Sequence, residues 1–202
     1  MRASLLTIGH SNHPIERFAA LLARHDVTAL GDVRSFPSSR FNPQFNRGAL
    51  EASLREAGIG YVFLGDALGG KRGDFEARAA MASFQAGLAR VREGAARHRV
   101  ALMCAEKDPL DCHRFMLICR HLRADLAIEH ILADGSIEPQ DATEDRLLAA
   151  TGLATSGGLL DENRATRLDL AYAQRGVQMT GGKTAAPKAR PKPLRAPDRS
   201  DN

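Results

Sequence analysis

No apolar run in this chain approaches the roughly 20 residues needed to cross a hydrocarbon core, so no membrane contact is expected. The opening stretch, Met1-Arg-Ala-Ser-Leu-Leu-Thr7, lacks a long apolar segment followed by a small-residue cleavage site, and no secretory signal is read there. Cysteine is scarce. Three residues, an odd number, with Cys112 and Cys119 in one helical run, do not make a disulfide framework. Reduced thiols in a cytoplasmic protein are the expectation. Several catalytic signatures are missing too. There is no Gly-x-Gly-x-x-Gly after the first strand, which disfavours a nicotinamide cofactor, and no Gly-x-Ser-x-Gly elbow. No Cys-x5-Arg phosphatase loop is present, because eight residues separate Cys104 from His113. No cofactor is predicted.

An excess of charge is also missing from most of the chain. The formal net charge is +4, and the stretch from Gly181 to Asn202 holds six basic and two acidic residues, which accounts for all of it. The body balances 22 basic against 22 acidic residues, so its charge gives no support for a polyanion-binding surface.

What is present reads as an ordinary globular domain of 202 residues with an appendage, at 44% hydrophobic and 26% charged residues. Strand candidates are Ser4–Ile8, Val27–Val33, Tyr61–Leu64, Val100–Cys104 and, as the last, Ala127–Leu132. Between them lie helical patterns. One starts at Pro14 with Ile15, Phe18, Leu21 and Leu22 on one face; another covers Arg47–Ala57, capped by Asn46 and closed by Gly58. A longer one runs over Phe75–Arg97, weakened by Gly87 and Gly94. Another runs from Cys112 to Arg123 with Asp111 as its N-cap, and Asp145–Ala150 is also helical. The alternation predicts one three-layer, Rossmann-like α/β domain with a mostly parallel sheet over residues 1–150. Residues 151–180 read as a weakly helical extension, centred on Asp161–Gln174, and 181–202 as a disordered Pro/Lys/Arg-rich tail.

In such sheets ligands bind at the carboxyl ends of the strands. Gly9, His10, Ser11 and Asn12 follow the first strand, and Asp32-Val-Arg34 ends the second. Gly69-Gly-Lys-Arg72 follows the third; it lacks the full P-loop spacing and reads as a flexible connection. Cys104-Ala-Glu-Lys-Asp-Pro-Leu-Asp-Cys-His-Arg114 follows the fourth, the richest of these strand ends. Residues 112–114 fall in the first turn of the expected helix, where free N–H groups and the helix dipole favour an anion. Lys107 and Arg114 add charge beside it, and Arg34 and Ser11 reach it from neighbouring strand ends. The same field lowers the pKa of Cys112. Cys104 reads either as a small buried hydrophobe or as a nucleophile. Glu106 reads either as a general acid/base or as an ion-pair partner of Arg34 or Lys107. His10 and His113 are bases, metal ligands or loop anchors. Cys104, Cys112, His113 and His10 would complete a zinc or iron set, but Cys-x7-Cys-His is not a standard spacing and no metal ligand is assigned.

The run Thr7-Ile-Gly-His-Ser11, then Asp32-Val-Arg34 with Pro37 and Ser38, then Leu68-Gly-Gly70, resembles the bacterial proteins grouped as domain of unknown function 488. Leu102-Met-Cys-Ala-Glu-Lys-Asp-Pro109 with Cys112-His-Arg114, and later His130-Ile131 and Asp134-Gly135, extend the likeness over residues 4 to 150. The resemblance implies a compact α/β domain and places His10, Ser11, Arg34, Cys104, Glu106, Cys112, His113 and Arg114 on motif positions. It names no activity.

Three functional readings follow. The first is an enzyme, hydrolase or transferase, acting on a phosphate-bearing small molecule such as a nucleotide or modified nucleoside. In it Glu106 and His10 move protons, Cys104 or Cys112 is the nucleophile, and Ser11, Arg34, Lys107, His113 and Arg114 hold the substrate. The second is a nucleotide- or redox-sensing module. The third is a nucleic-acid accessory protein whose basic tail makes weak contacts.

Overall fold

The computed structural model describes residues 2–70, 74–154 and 163–181; the tail and Lys71-Arg72 lie outside them. Strand β1 (Ser4–Gly9) leads to helix α1 (Ile15–Arg24), β2 (Ala29–Asp32), α2 (Arg47–Glu56) and β3 (Gly60–Phe63). Short helices α3 (Gly65–Leu68) and α4 (Phe75–Ala79) precede α5 (Ala82–Arg97) and β4 (Val100–Cys104). A 3-10 turn (Pro109–Asp111) and a π-helix (Arg114–Cys119) run into α6 (Arg120–Leu122). Then come β5 (Ala127–Ile131), β6 (Ile137–Pro139), α7 (Gln140–Ala150) and α8 (Arg164–Thr180).

The six strands lie in the order β3-β2-β4-β1-β5-β6, all parallel except the last pair. Strand side chains alternate between faces, and here both faces are covered. Leu5, Val100, Leu102 and Cys104 pack against Leu88 and Val91 of α5 and Leu117 of the π-helix. Leu6, Ile8, Leu30, Ala101 and Met103 pack against Phe18 and Leu22 of α1 and Leu50 and Leu54 of α2. This is the three-layer α/β arrangement with a mostly parallel sheet. Among the described residues no helix is long and apolar enough to cross a membrane.

Strand order decides where the site forms. Although β1 and β2 are consecutive, β4 lies between them. The loops after β1, β2 and β4 therefore open side by side.

Four sequence expectations change. Ala127–Ile131 is not the last strand: a turn at Asp134-Gly135, with Gly135 at φ 90°, sends β6 back antiparallel beside it. Three residues are too short a signal for periodicity to register. The long helix over 75–97 breaks at Ala80 and Met81, where Met81 is extended (ψ 136°), rather than at its glycines. Asn46 precedes α2, but its side chain accepts from the Ser39 N–H (2.7 Å) instead of capping the helix. Asp111 caps nothing. Asp108 caps the 3-10 turn by accepting from the Leu110 N–H (2.9 Å), and the segment expected as an α-helix starts as a π-helix whose six residues are all buried.

Helix α8 is longer than the pattern over 161–174 implies, starting behind Asn163, whose side chain accepts from the Thr166 N–H, and ending at Gly181 in the left-handed region. Its Leu168, Ala171 and Tyr172 share a buried cluster with Phe115, Met116, Leu147 and Leu148. Helix and domain thus share a third buried cluster, beside the two that cover the sheet faces. Leu168→Ala should lower the free energy of unfolding by about 2–5 kcal/mol, the range for buried large-to-small changes. Urea denaturation measures this, and an unchanged midpoint would mean that α8 does not stabilise the domain.

Candidate functional site

Alternation along β4 places Val100, Leu102 and Cys104 on the α5 side of the sheet, and the chain continues beyond the strand with Ala105 and Glu106. The turn at Pro109–Asp111 reverses the chain and returns Cys112 and His113 to the same spot. One donor atom from each of Cys104, Glu106, Cys112 and His113 lies within 4.8 Å of all the others. Cys112 Sγ is 2.9 Å from Glu106 Oε2, and His113 Nδ1 is 3.5 Å from Cys104 Sγ and 4.0 Å from Cys112 Sγ. The other ring nitrogen, His113 Nε2, donates to the Val33 carbonyl at the end of β2 (3.0 Å). That bond fixes the ring and turns Nδ1 toward the sulfurs.

Arg114 holds the loop in place. It is fully buried, and its Nη1 and Nη2 donate to the carbonyls of Glu106 (2.7 Å) and Lys107 (3.2 Å). Gly9 makes room for this loop: a Cβ there would sit 1.9 Å from the Glu106 carbonyl oxygen. Gly70 does the same for His113, since its Cβ would lie 2.3 Å from the imidazole. His10 and Ser11 extend the pairing past the strands, donating their N–H groups to the Cys104 and Ala105 carbonyls (both 2.9 Å). Ser11 adopts φ 47°, a conformation costly for a residue with a Cβ.

Charge is shared closely. Burial opposes ionisation of Cys112, but a hydrogen bond with Cys104, the Arg114 guanidinium and the His113 ring outweigh it and hold the thiol well below its ordinary range. The Arg114 N–H also points at Cys112 Sγ (3.4 Å). Glu106 shifts up, through burial and the neighbouring Cys112 charge. Burial also raises Cys104, reinforced by its bond with Cys112. His113 is disfavoured as a cation by burial, yet the Cys112 bond and charge raise it overall. Cys112 and Glu106 thus share a proton across 2.9 Å, and their coupling draws the two acidities toward each other.

The other candidates fall into place around this cluster. Arg34 is buried and bound bidentately to Asp32, with Nε to Oδ1 at 2.9 Å and Nη2 to Oδ2 at 2.7 Å, and Nη2 also donates to the Phe45 carbonyl. Only Nη1 is turned to His10 Nε2, at 3.4 Å. His10 donates from Nδ1 to the Ser11 carbonyl (2.8 Å) and stacks on Phe45. Burial brings its pKa down to about 4, so it stays neutral near pH 7. Neither carboxylate reading of the sequence in terms of ion pairs is realised: Glu106 bonds Cys112, and Asp32 rather than Glu106 neutralises Arg34. The fourth donor beside Cys104, Cys112 and His113 is Glu106, not His10. Lys107 is exposed, whereas Arg114 spends its donors on the loop carbonyls.

A cavity of about 430 Å³ opens over the cluster. Cys104, Glu106 and His113 form one wall, and His10, Ser11 and Arg34 another. The rest comes from the segment after β2, including Ser35, Phe36, Ser38, Ser39 and Asn42. In the sequence that segment shows only a loop; its composition of hydroxyls and amides was the available signal for a cavity lining.

His10 and His130 provide a pH test. Burial lowers both to about 4 from an ordinary 6.5. The unfolded chain takes up protons at both positions before the folded one does, so their contribution is full above pH 6.5 and is lost as pH falls toward 4. Each lost contribution is on the order of 3 kcal/mol. Urea unfolding near pH 7 and near pH 4.5 should show this loss, and His10→Gln should flatten the dependence. An equally steep dependence in that variant would contradict the assignment.

The family model described as "Domain of unknown function DUF488" matches residues 14–120, more than half of the chain. The match includes Arg34 and the whole run from Cys104 to Arg114, and leaves out His10, Ser11 and His130. No curated protein and no solved structure matches.

Proposed function

The chain belongs to the family of domains of unknown function DUF488, and from the geometry of its site we propose that it is a metal-dependent enzyme acting on a nucleotide or modified nucleoside. The observation that carries this reading is the convergence of Cys104, Cys112, His113 and Glu106 within 4.8 Å, with His113 oriented by the Val33 carbonyl. Thiolate and imidazole donors at these separations suit zinc or ferrous iron, and a histidine tied to a backbone carbonyl through its second nitrogen is the usual supporting arrangement for a ligand. A bound divalent ion supplies Lewis acidity toward water or a substrate oxygen. Cys104, Cys112 and His113 are the ligands in this reading. Glu106, two residues beyond Cys104 and on the cavity wall, moves the proton, a task that its raised pKa suits.

His10 and Arg34 play a different part from a base and an anion clamp. A neutral His10 accepts from Arg34 Nη1, and together they form a polar wall of nearly zero net charge with Asp32. With the hydroxyls of Ser11, Ser35, Ser38 and Ser39, this wall suits the uncharged portion of a nucleoside. A second reading, a thiol sensor, draws on the proximity of Cys104 and Cys112 in the same cluster.

Protein purified without chelator should carry close to one zinc or iron per chain by elemental mass spectrometry. Cys104→Ser, Cys112→Ser and His113→Gln should each remove most of it, and Glu106→Gln should retain metal while abolishing turnover. Metal-free protein with a Cys104–Cys112 disulfide in peptide mapping would favour the sensor. Metal-free protein that takes up neither zinc nor iron on addition would end the metal-dependent reading.

A further inference from the structure

Two phenylalanines stand in water beside the cavity. Phe36 is 73% exposed and Phe41 84%, the most exposed large hydrophobic side chains among the described residues. Both belong to the segment between β2 and α2, and that segment is tied down at several points. The Ser39 N–H donates to Asn46 Oδ1 (2.7 Å), the Asn42 N–H to Ser39 Oγ (3.0 Å) and the Arg47 N–H to the Pro37 carbonyl (2.9 Å). Phe45, from the same stretch, is buried beneath His10 and Phe18. A loop this well anchored displays its rings; they are not rings that failed to find a core. Phe36 lines the cavity together with Cys104, Glu106 and His113, and the Arg40 guanidinium lies 5.3 Å from the centre of the Phe41 ring.

The opposite side of the cluster belongs to α8. Met179 and Thr180 border a small cavity of about 200 Å³ with Glu106, Asp111 and His113. Aromatic rings and an Arg thus flank the site on one side, and the end of α8 closes it on the other.

We propose that the cavity receives a nucleobase carried by a single-stranded nucleic acid, stacked on Phe36, with Phe41 and Arg40 taking the adjacent nucleotide. This deepens the nucleoside reading above and rests on it for the chemistry, but not for the binding. Exposed aromatic faces with nearby cations are the means by which proteins hold unpaired bases, and a base within a duplex presents no free face to stack. The hydroxyl and amide lining from Ser11, Asn12, Ser38, Ser39 and Asn42 meets the hydrogen-bonding edge of a base. The near-neutral body explains why composition hides such a surface: it rests on exposed rings and a rim cation rather than on excess charge.

The test uses the full chain, a fluorescein-labelled oligothymidylate of about 12 nucleotides, and thymidine as competitor. The oligonucleotide should bind more tightly than thymidine. Phe36→Ala and Phe41→Ala should each weaken it on the order of tenfold without shifting the melting temperature, and Phe36→Trp should restore binding. Arg40→Ala should flatten the dependence of affinity on salt, since fewer counterions are released. An oligonucleotide bound no more tightly than thymidine, or one indifferent to the Phe36→Ala, Phe41→Ala double change, overturns the proposal. Metal content of the same samples separates the two ideas. Protein that takes up neither zinc nor iron yet binds the strand overturns only the metal-dependent reading, and metal-loaded protein that ignores the strand overturns only this one.

Discussion

A single buried guanidinium shapes the chemistry-bearing end of this domain. Arg114 has no exposed surface, and two of its nitrogens are committed to the Glu106 and Lys107 carbonyls. Burying a cation is expensive unless hydrogen bonds and counter-charge compensate it. Here the compensation builds the site. The two carbonyls pull the loop after β4 inward over Gly9, which brings the Glu106 carboxylate onto Cys112, and the guanidinium in turn favours ionisation of that sulfur. Loop path, carboxylate position and thiol acidity are therefore consequences of one buried charge.

Much the same economy governs the second cation. Arg34 is neutralised by Asp32 on its own strand end, and Tyr61 donates its hydroxyl to the same carboxylate (2.9 Å). The pairing leaves Nη1 for His10, and burial keeps that ring neutral. The cavity wall is consequently polar without carrying excess charge. A wall of this type discriminates by hydrogen-bond geometry more than by attraction, because donors and acceptors left unpaired in a buried site are costly. Binding of charged portions is then a matter for the periphery.

Much of the architecture is written in local pattern. The strand Val100–Cys104 has the boundaries that its apolar run indicates, and β1 and α1 follow closely from theirs. The elements that departed from expectation have local signals that tertiary contacts override. Asn46 is a good cap by type, but Ser39 offers its side chain a better-placed N–H. Asp111 yields to Asp108 because Pro109 starts the tight turn three residues earlier. A helix with moderate polarity, α8, gains its length from burying Leu168 and Tyr172 against a surface that its own sequence does not reveal.

The sequence by itself determined which polar residues gather at one end of the sheet: the dense run from Cys104 to Arg114, and His10, Ser11 and Arg34 at the ends of other strands. It determined the fold class as well, since alternation of strands and helices admits few solutions. Only the tertiary structure decided how these residues pair with one another. Strand order put β4 between β1 and β2, which no local pattern encodes, and thereby set His10 and Arg34 beside Cys104. Burial then turned Arg114 from a ligand-facing cation into a brace, bound Arg34 to Asp32, and made Glu106 the companion of two sulfurs and an imidazole. The reason is physical: side-chain roles depend on which groups lose water together, and that is a property of the packed chain.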